Sequence, residues 1–146
     1  MYYLSVIMKA AKIAKVSGTL LFAICSYESN GFTVQINKVD GGSPSYGICH
    51  VKEGTARMLG FKGKTLELMN PVTNAKWAAR YLAYQVSRYG EEDWCKLTAA
   101  YNAGSFNESK RFPGYPRNLK YVRRVQKYLA ENLQDKLSCR NELAEK

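Results

Sequence analysis

Thr19-Leu-Leu-Phe-Ala-Ile-Cys-Ser-Tyr-Glu28, followed at once by Ser29-Asn30-Gly31, reads as a helix whose apolar face ends on an acid. Leu20, Ile24 and Glu28 are spaced by four residues, so all three fall on one side of an α-helix. Gly is the usual residue just past a helix C-terminus, and Gly31 marks that end. The carboxyl then lies near the negative end of the helix dipole and points toward the core. Both circumstances penalise the charged form. A carboxyl that stays protonated near neutral pH is what a general acid needs.

Upstream, Lys9, Lys12 and Lys15 recur at every third residue, which predicts an amphipathic helix from about Leu4 to Val16. These lysines followed by Val16 to Ile24 loosely imitate a signal peptide. The Ser17-Gly18 interruption argues against one, and cleavage near Ser26 would sever Glu28 from its helix. The reading is no signal peptide.

Downstream, Gly31 to Gly47 is rich in Gly, Asn, Ser and Pro, with Val34-Gln-Ile36 as a short strand and Asp40-Gly-Gly-Ser-Pro44 as turn chemistry. A short helix covers about Glu53 to Leu59 and stops at Gly60. Asn70-Pro71 opens the longest helical pattern, Pro71 to Tyr89, with Trp77, Tyr81 and Tyr84 expected as core. Another helix runs from about Trp94 to Tyr101 and stops at Asn102-Ala-Gly104, and Phe106 to Pro116 is a polar loop. A last helix, about Leu119 to Leu133, leads into a charged tail at 134–146. No repeat or linker divides the chain. The fold class is mainly α, in a single domain over 1–146, with a small irregular or β region near 31–50.

The 146 residues suffice for a proper core, and 46% apolar content argues against disorder. No apolar run approaches the length of a membrane span. The net charge of +10 favours an anionic partner, whether nucleic acid, a membrane surface or the acidic polymers of a bacterial envelope. The basic residues are dispersed and no recognition motif accompanies them, so nucleic-acid binding is not expected. Cys25, Cys49, Cys95 and Cys139 form no CxxC pair, and His50 is the sole histidine, so no metal site is expected. Cys25 and Cys95 lie in apolar helical surroundings, which suits free thiols made in a reducing compartment. Two disulfides are the alternative.

Four short motifs follow one another in order: Glu28-Ser29, Tyr46-Gly47-Ile48-Cys49-His50-Val51 with Thr55-Ala56 behind it, Ala100-Tyr101-Asn102-Ala103-Gly104, and Tyr121-Val122-Arg123-Arg124-Val125. The chain thereby resembles the soluble lytic transglycosylase (SLT) family, related to goose-type lysozymes, whose hallmarks are E-S, G-L-M-Q, A-Y-N-A-G and a late Y-V helix. The resemblance covers about Thr19 to Leu129; Asn70-Pro71, Asn74 and Tyr81-Leu82 also fit its spacing. Each motif alone is weak, and the four in order are specific.

The resemblance implies a lysozyme-like α+β fold and cleavage of peptidoglycan between N-acetylmuramic acid and N-acetylglucosamine, with no cofactor. Most glycosidases need two carboxylates. Here Glu28 would protonate the glycosidic oxygen and then take the proton of the C6 hydroxyl of the same sugar, leaving a 1,6-anhydromuramoyl end. An internal nucleophile reaches an effective concentration on the order of 10⁵ M when well oriented, so one carboxylate suffices. Carried over by motif, Ser29 would bond the carboxyl or the substrate acetamide. Tyr101 and Asn102 would contact sugar and support the acid. Tyr121 would bring its hydroxyl near Glu28, and Gly47-Ile48 would let backbone approach the glycan. A Tyr at helical spacing is usually core, and Tyr101 and Tyr121 escape that default only through their motifs. Arg123-Arg124 reads as a solvated helix face.

Two departures stand out. His50 occupies the position of the family glutamine. It hydrogen-bonds as Gln does but is shorter, and a charged imidazole beside the acid would oppose its protonation. Asp40, twelve residues after Glu28, is a turn residue by context. Facing the cleft, it would activate water and make the enzyme a hydrolytic muramidase. The second alternative is an impaired wall-binding module, motivated by His50. The partners implied are glycan strands and a phage virion or secretion machine that delivers a monomer to the wall, directly or through a holin lesion.

Overall fold

The computed structural model describes residues 2–29, 36–38 and 42–132. The expectations for Val34, for Asp40 and for the tail at 134–146 lie outside them. Two compact units divide between Tyr84 and Gln85.

In the first unit, α1 (Tyr2–Ala14) packs on α2 (Gly18–Glu28). Ile7 and Ala11 are the buried side of α1, with Lys9 and Lys12 exposed, as the lysine spacing predicts. Two features turn the chain between the helices. Lys15 adopts a left-handed φ of 60°, and the Ser17 hydroxyl caps α2 by accepting the Leu20 N–H at 3.1 Å. Gly18 packs closely against α1: a Cβ there would lie 2.5 Å from Met8 Sδ and 3.6 Å from Ala11 Cβ. Leu20, Leu21, Ala23, Ile24 and Cys25 are all buried, so α2 is an inner helix covered on most sides.

Three two-residue strands follow in the sequence, β1 (Ile36–Asn37), β2 (Ser45–Tyr46) and β3 (Val51–Lys52), antiparallel in the order β1-β2-β3. Tyr46 pairs with both Ile36 and Val51. Next come α3 (Glu53–Met58), a 3-10 helix over Thr65–Met69, and α4 (Pro71–Tyr89). The pattern-based limits of α4 hold at both ends. Pro71 opens it, the Asn70 side chain accepts the Val72 and Thr73 N–H groups, and Gly90 follows it with φ 85°. Trp77 is core, but Tyr84 is 37% exposed and stacks on Tyr81 with centroids 6.3 Å apart. The stripe turns outward there, so Tyr84 corrects the expectation of core.

The cysteines correct another. Cys25 and Cys49 form a disulfide, and Cys95 is disulfide-bonded as well. Apolar surroundings suit a disulfide as well as a thiol, and only the folded chain brings Cys49 to α2.

In the second unit α5 (Trp94–Ala103) is capped by Asp93, whose carboxylate accepts the Lys96 N–H at 3.0 Å, and α6 (Leu119–Asn132) packs against it. Cys95, Ala99 and Val122 form their shared core, with Phe106 and Tyr121 against it. The loop between them is pinned by a bridge between Glu108 and Pro116 and by the Ser109 N–H to Tyr115 carbonyl bond of 2.7 Å. Among the described residues, no helix is long and apolar enough to cross a membrane.

Candidate active site

Glu28 is the last residue of α2. Its side chain is 14% exposed, and Oε2 lies 3.4 Å from Nδ1 of His50, whose own side chain is 6% exposed. The other imidazole nitrogen, Nε2, is buried without a hydrogen-bond partner. Ser29 ends the helix. Its N–H and its hydroxyl both donate to the Cys25 carbonyl, at 3.0 and 2.8 Å, and the residue is fully buried. Its proton therefore serves the helix end, where the motif had suggested the carboxyl or a substrate acetamide.

His50 reaches Glu28 because of the turn that carries it. Gly47 to His50 closes on a His50 N–H to Gly47 carbonyl bond of 3.2 Å, with Gly47 at φ 75° and His50 at φ 47°. A left-handed conformation costs a residue with a Cβ about 1–2 kcal/mol, so the surroundings must impose it. Asn74, fully buried in the first turn of α4, does so. Its side-chain carbonyl accepts the Cys49 N–H at 2.8 Å, and its amide donates to the Tyr46 and Leu68 carbonyls, both at 2.7 Å. Gly47 must be glycine on two counts: its φ, and a Cβ that would lie 2.5 Å from Asn74 Nδ2 and 2.7 Å from the Leu68 carbonyl. Close backbone approach at Gly47 thus serves Asn74. Ile48 is fully buried, so its side chain is core. Asp40 lies outside the described residues.

The other motif residues belong to the second unit. Tyr101 is 6% exposed, whereas Asn102 is exposed on the last turn of α5. Asn118 holds that turn by donating from Nδ2 to the Ala99 carbonyl at 3.0 Å and to Asn102 Oδ1 at 2.9 Å. Gly104 closes α5 with φ 85°. Buried Gln85 donates to the Ala100 and Gly104 carbonyls at 3.3 and 3.1 Å, and Arg88 adds bonds to Gly104 and Ser105. Tyr121, half-buried, packs its ring on the Cys95–Ala99–Val122 core.

Sequence reasoning missed Gln85 and Asn118, and noted Asn74 only for its spacing. A signal for two of them was present. Gln85 follows Trp77 and Tyr81 at intervals of four, and Asn74 precedes Trp77 by three, so both put amides on an apolar stripe. That is the same anomaly that singles out Glu28. No such signal marks Asn118. Among the described residues, no group of three or more His, Cys, Asp or Glu side chains is arranged to hold a metal ion.

An acid ending an inner helix beside a small antiparallel sheet, in a mainly helical chain, is a lysozyme-like arrangement. The chain superimposes on lytic transglycosylase Slt from Pseudomonas aeruginosa, solved by X-ray as an inactive glutamate-to-glutamine mutant. The TM-score is 0.72 at 19% identity, over 95% of this chain and 25% of that one. It thus spans about a quarter of that protein's length. No curated protein matches by sequence. The model of the transglycosylase SLT domain matches residues 5–121, and the chain belongs to that family.

Proposed function

We propose that the protein cleaves the β-1,4 bond between N-acetylmuramic acid and N-acetylglucosamine in peptidoglycan, with Glu28 as its single catalytic acid and base. The observation that carries this reading is the Glu28 carboxyl itself, largely shielded from water at the end of α2 and restrained by His50 at 3.4 Å. The structural relative, inactive with one glutamate changed to glutamine, supports it by analogy.

The chemistry balances on one carboxyl. Glu28 gives its proton to the glycosidic oxygen as the bond from C1 of muramic acid breaks. The C6 hydroxyl of the same residue then bonds C1 and returns its proton to Glu28. The enzyme ends as it began, and the product carries a 1,6-anhydro ring. Tyr101, Asn102 and Tyr121 are the candidate sugar contacts, with His50 beside the acid. The basic surface suits an anionic wall, which the protein would reach from a phage particle, through a holin lesion or by a secretion machine.

The test is digestion of purified sacculi followed by mass spectrometry of the fragments. Anhydromuramoyl ends are expected. Reducing ends would overturn the lyase assignment in favour of a hydrolase using Asp40. Binding to sacculi without release of fragments would reduce the protein to a wall-binding module.

A further inference from the structure

Cys25 and Cys49 are joined, and neither is exposed. Cys25 lies three residues before Glu28 on α2, and Cys49 is the immediate neighbour of His50. These four residues close a circuit. It runs along the helix from Cys25 to Glu28, across the 3.4 Å contact to His50, through one peptide bond to Cys49, and back over the disulfide. The one non-covalent link is the link that carries the reactive carboxyl.

The two arms are unequally supported. The Glu28 arm is a helix, with Ser29 bonded twice to the Cys25 carbonyl. The His50 arm is a four-residue turn holding two left-handed residues, Gly47 and His50. At Cys49, the disulfide ties that turn covalently to α2, and the N–H bond to Asn74 ties it to α4. Opening the disulfide removes the covalent tie between that turn and α2, and leaves non-covalent contacts alone to hold its left-handed backbone next to the acid.

We propose that the Cys25–Cys49 disulfide is a positioning element of the active site, holding His50 against Glu28, and that the enzyme loses catalytic power when this bond is reduced. The consequence for activity rests on the reading of Glu28 as the catalytic acid. In reduction by a dithiol, one thiolate attacks a sulfur of the pair, forms a mixed disulfide and releases the other cysteine. The second thiol then displaces the remaining cysteine and closes the reductant's own disulfide. Two electrons and two protons end on Cys25 and Cys49. Exchange with a protein disulfide donor runs the reverse course, so a chain made among reduced thiols would gain activity on meeting such a donor.

His50 is the sole histidine, so its imidazole NMR signals report on the contact directly. In the oxidised protein, Glu28→Gln shifts those signals. In Cys25→Ala/Cys49→Ala, the same replacement leaves them in place. On sacculi, kcat of that double variant falls about ten- to hundredfold while KM stays within about twofold, as misplacement of a reacting group requires. Cys95→Ser, which removes the other crosslink, keeps the response to Glu28→Gln. Should the double variant fail to fold, wild type reduced by dithiothreitol, with its thiols counted, gives the same comparison. A full response and unchanged kcat in folded protein lacking the bond would overturn the proposal. Loss of the fold on reduction would overturn it too, since the bond would then hold the fold and not the site. Loss of the response with the bond, where no form cuts sacculi, would support the positioning role and remove the transglycosylase reading instead.

Discussion

His50 meets Glu28 at 3.4 Å, Nδ1 to Oε2, from a backbone conformation with φ 47°. The family pattern has glutamine at this position, and the imidazole supplies in its place a rigid ring that can donate or accept at either nitrogen. A side chain held against the acid from a strained turn fits a role in orienting the carboxyl.

That role sets an order among substitutions. His50→Gln restores the family residue and should retain activity. His50→Ala removes the restraint and should lower kcat about ten- to hundredfold with little change in KM. Initial rates on sacculi check this, and equal rates for both variants would show that the contact is passive.

Asn74 makes three buried hydrogen bonds, to Cys49, Tyr46 and Leu68. Asn74→Ala leaves those backbone groups unsatisfied, and unfolding in urea should show a loss of about 2–4 kcal/mol. Asn74→Asp should be no better, because a carboxylate would face two carbonyl oxygens.

Gly47→Ala adds a Cβ 2.5 Å from Asn74 Nδ2, at φ 75°. Strain and displacement of Asn74 together should cost about 2–3 kcal/mol by the same urea measurement. A cost near zero would mean that the turn relaxes freely.

The Arg57 guanidinium, 2.8 Å away, and then the Thr65 hydroxyl hold the exposed Glu53 carboxyl below the usual carboxylate range. A value depressed by folding stabilises above the unfolded value and ceases to do so as pH falls through the folded one. Glu53→Gln should therefore lower Tm slightly at neutral pH. The gap from wild type should close as pH falls below about 4.3. A gap constant down to strongly acid pH would contradict this.

The helices were legible because their punctuation is local. Pro71 and Gly90 bound α4, Gly104 ends α5, and Ser17 caps α2 after the break from α1. Glu28 was legible for a related reason, as a polar side chain on an apolar stripe. The strands β2 and β3 were not, since two residues carry no alternation and their pairing is set by the turn at Gly47 to His50. The 3-10 helix at Thr65–Met69 likewise offers no period to read. Spacing along the chain could not show the disulfide, because its two cysteines are 24 residues apart and meet only after folding. The Glu28–His50 contact depends on that same meeting, so the site was legible as a set of residues before it was legible as a geometry.

The central claim is that one carboxyl, Glu28, performs the cleavage. Its most direct test is Glu28→Gln, purified and shown by its melting curve to be folded, and assayed on sacculi beside wild type. The account predicts that release of anhydromuramoyl fragments falls by at least about a hundredfold while binding to sacculi persists. Release within a few-fold of wild type would contradict it.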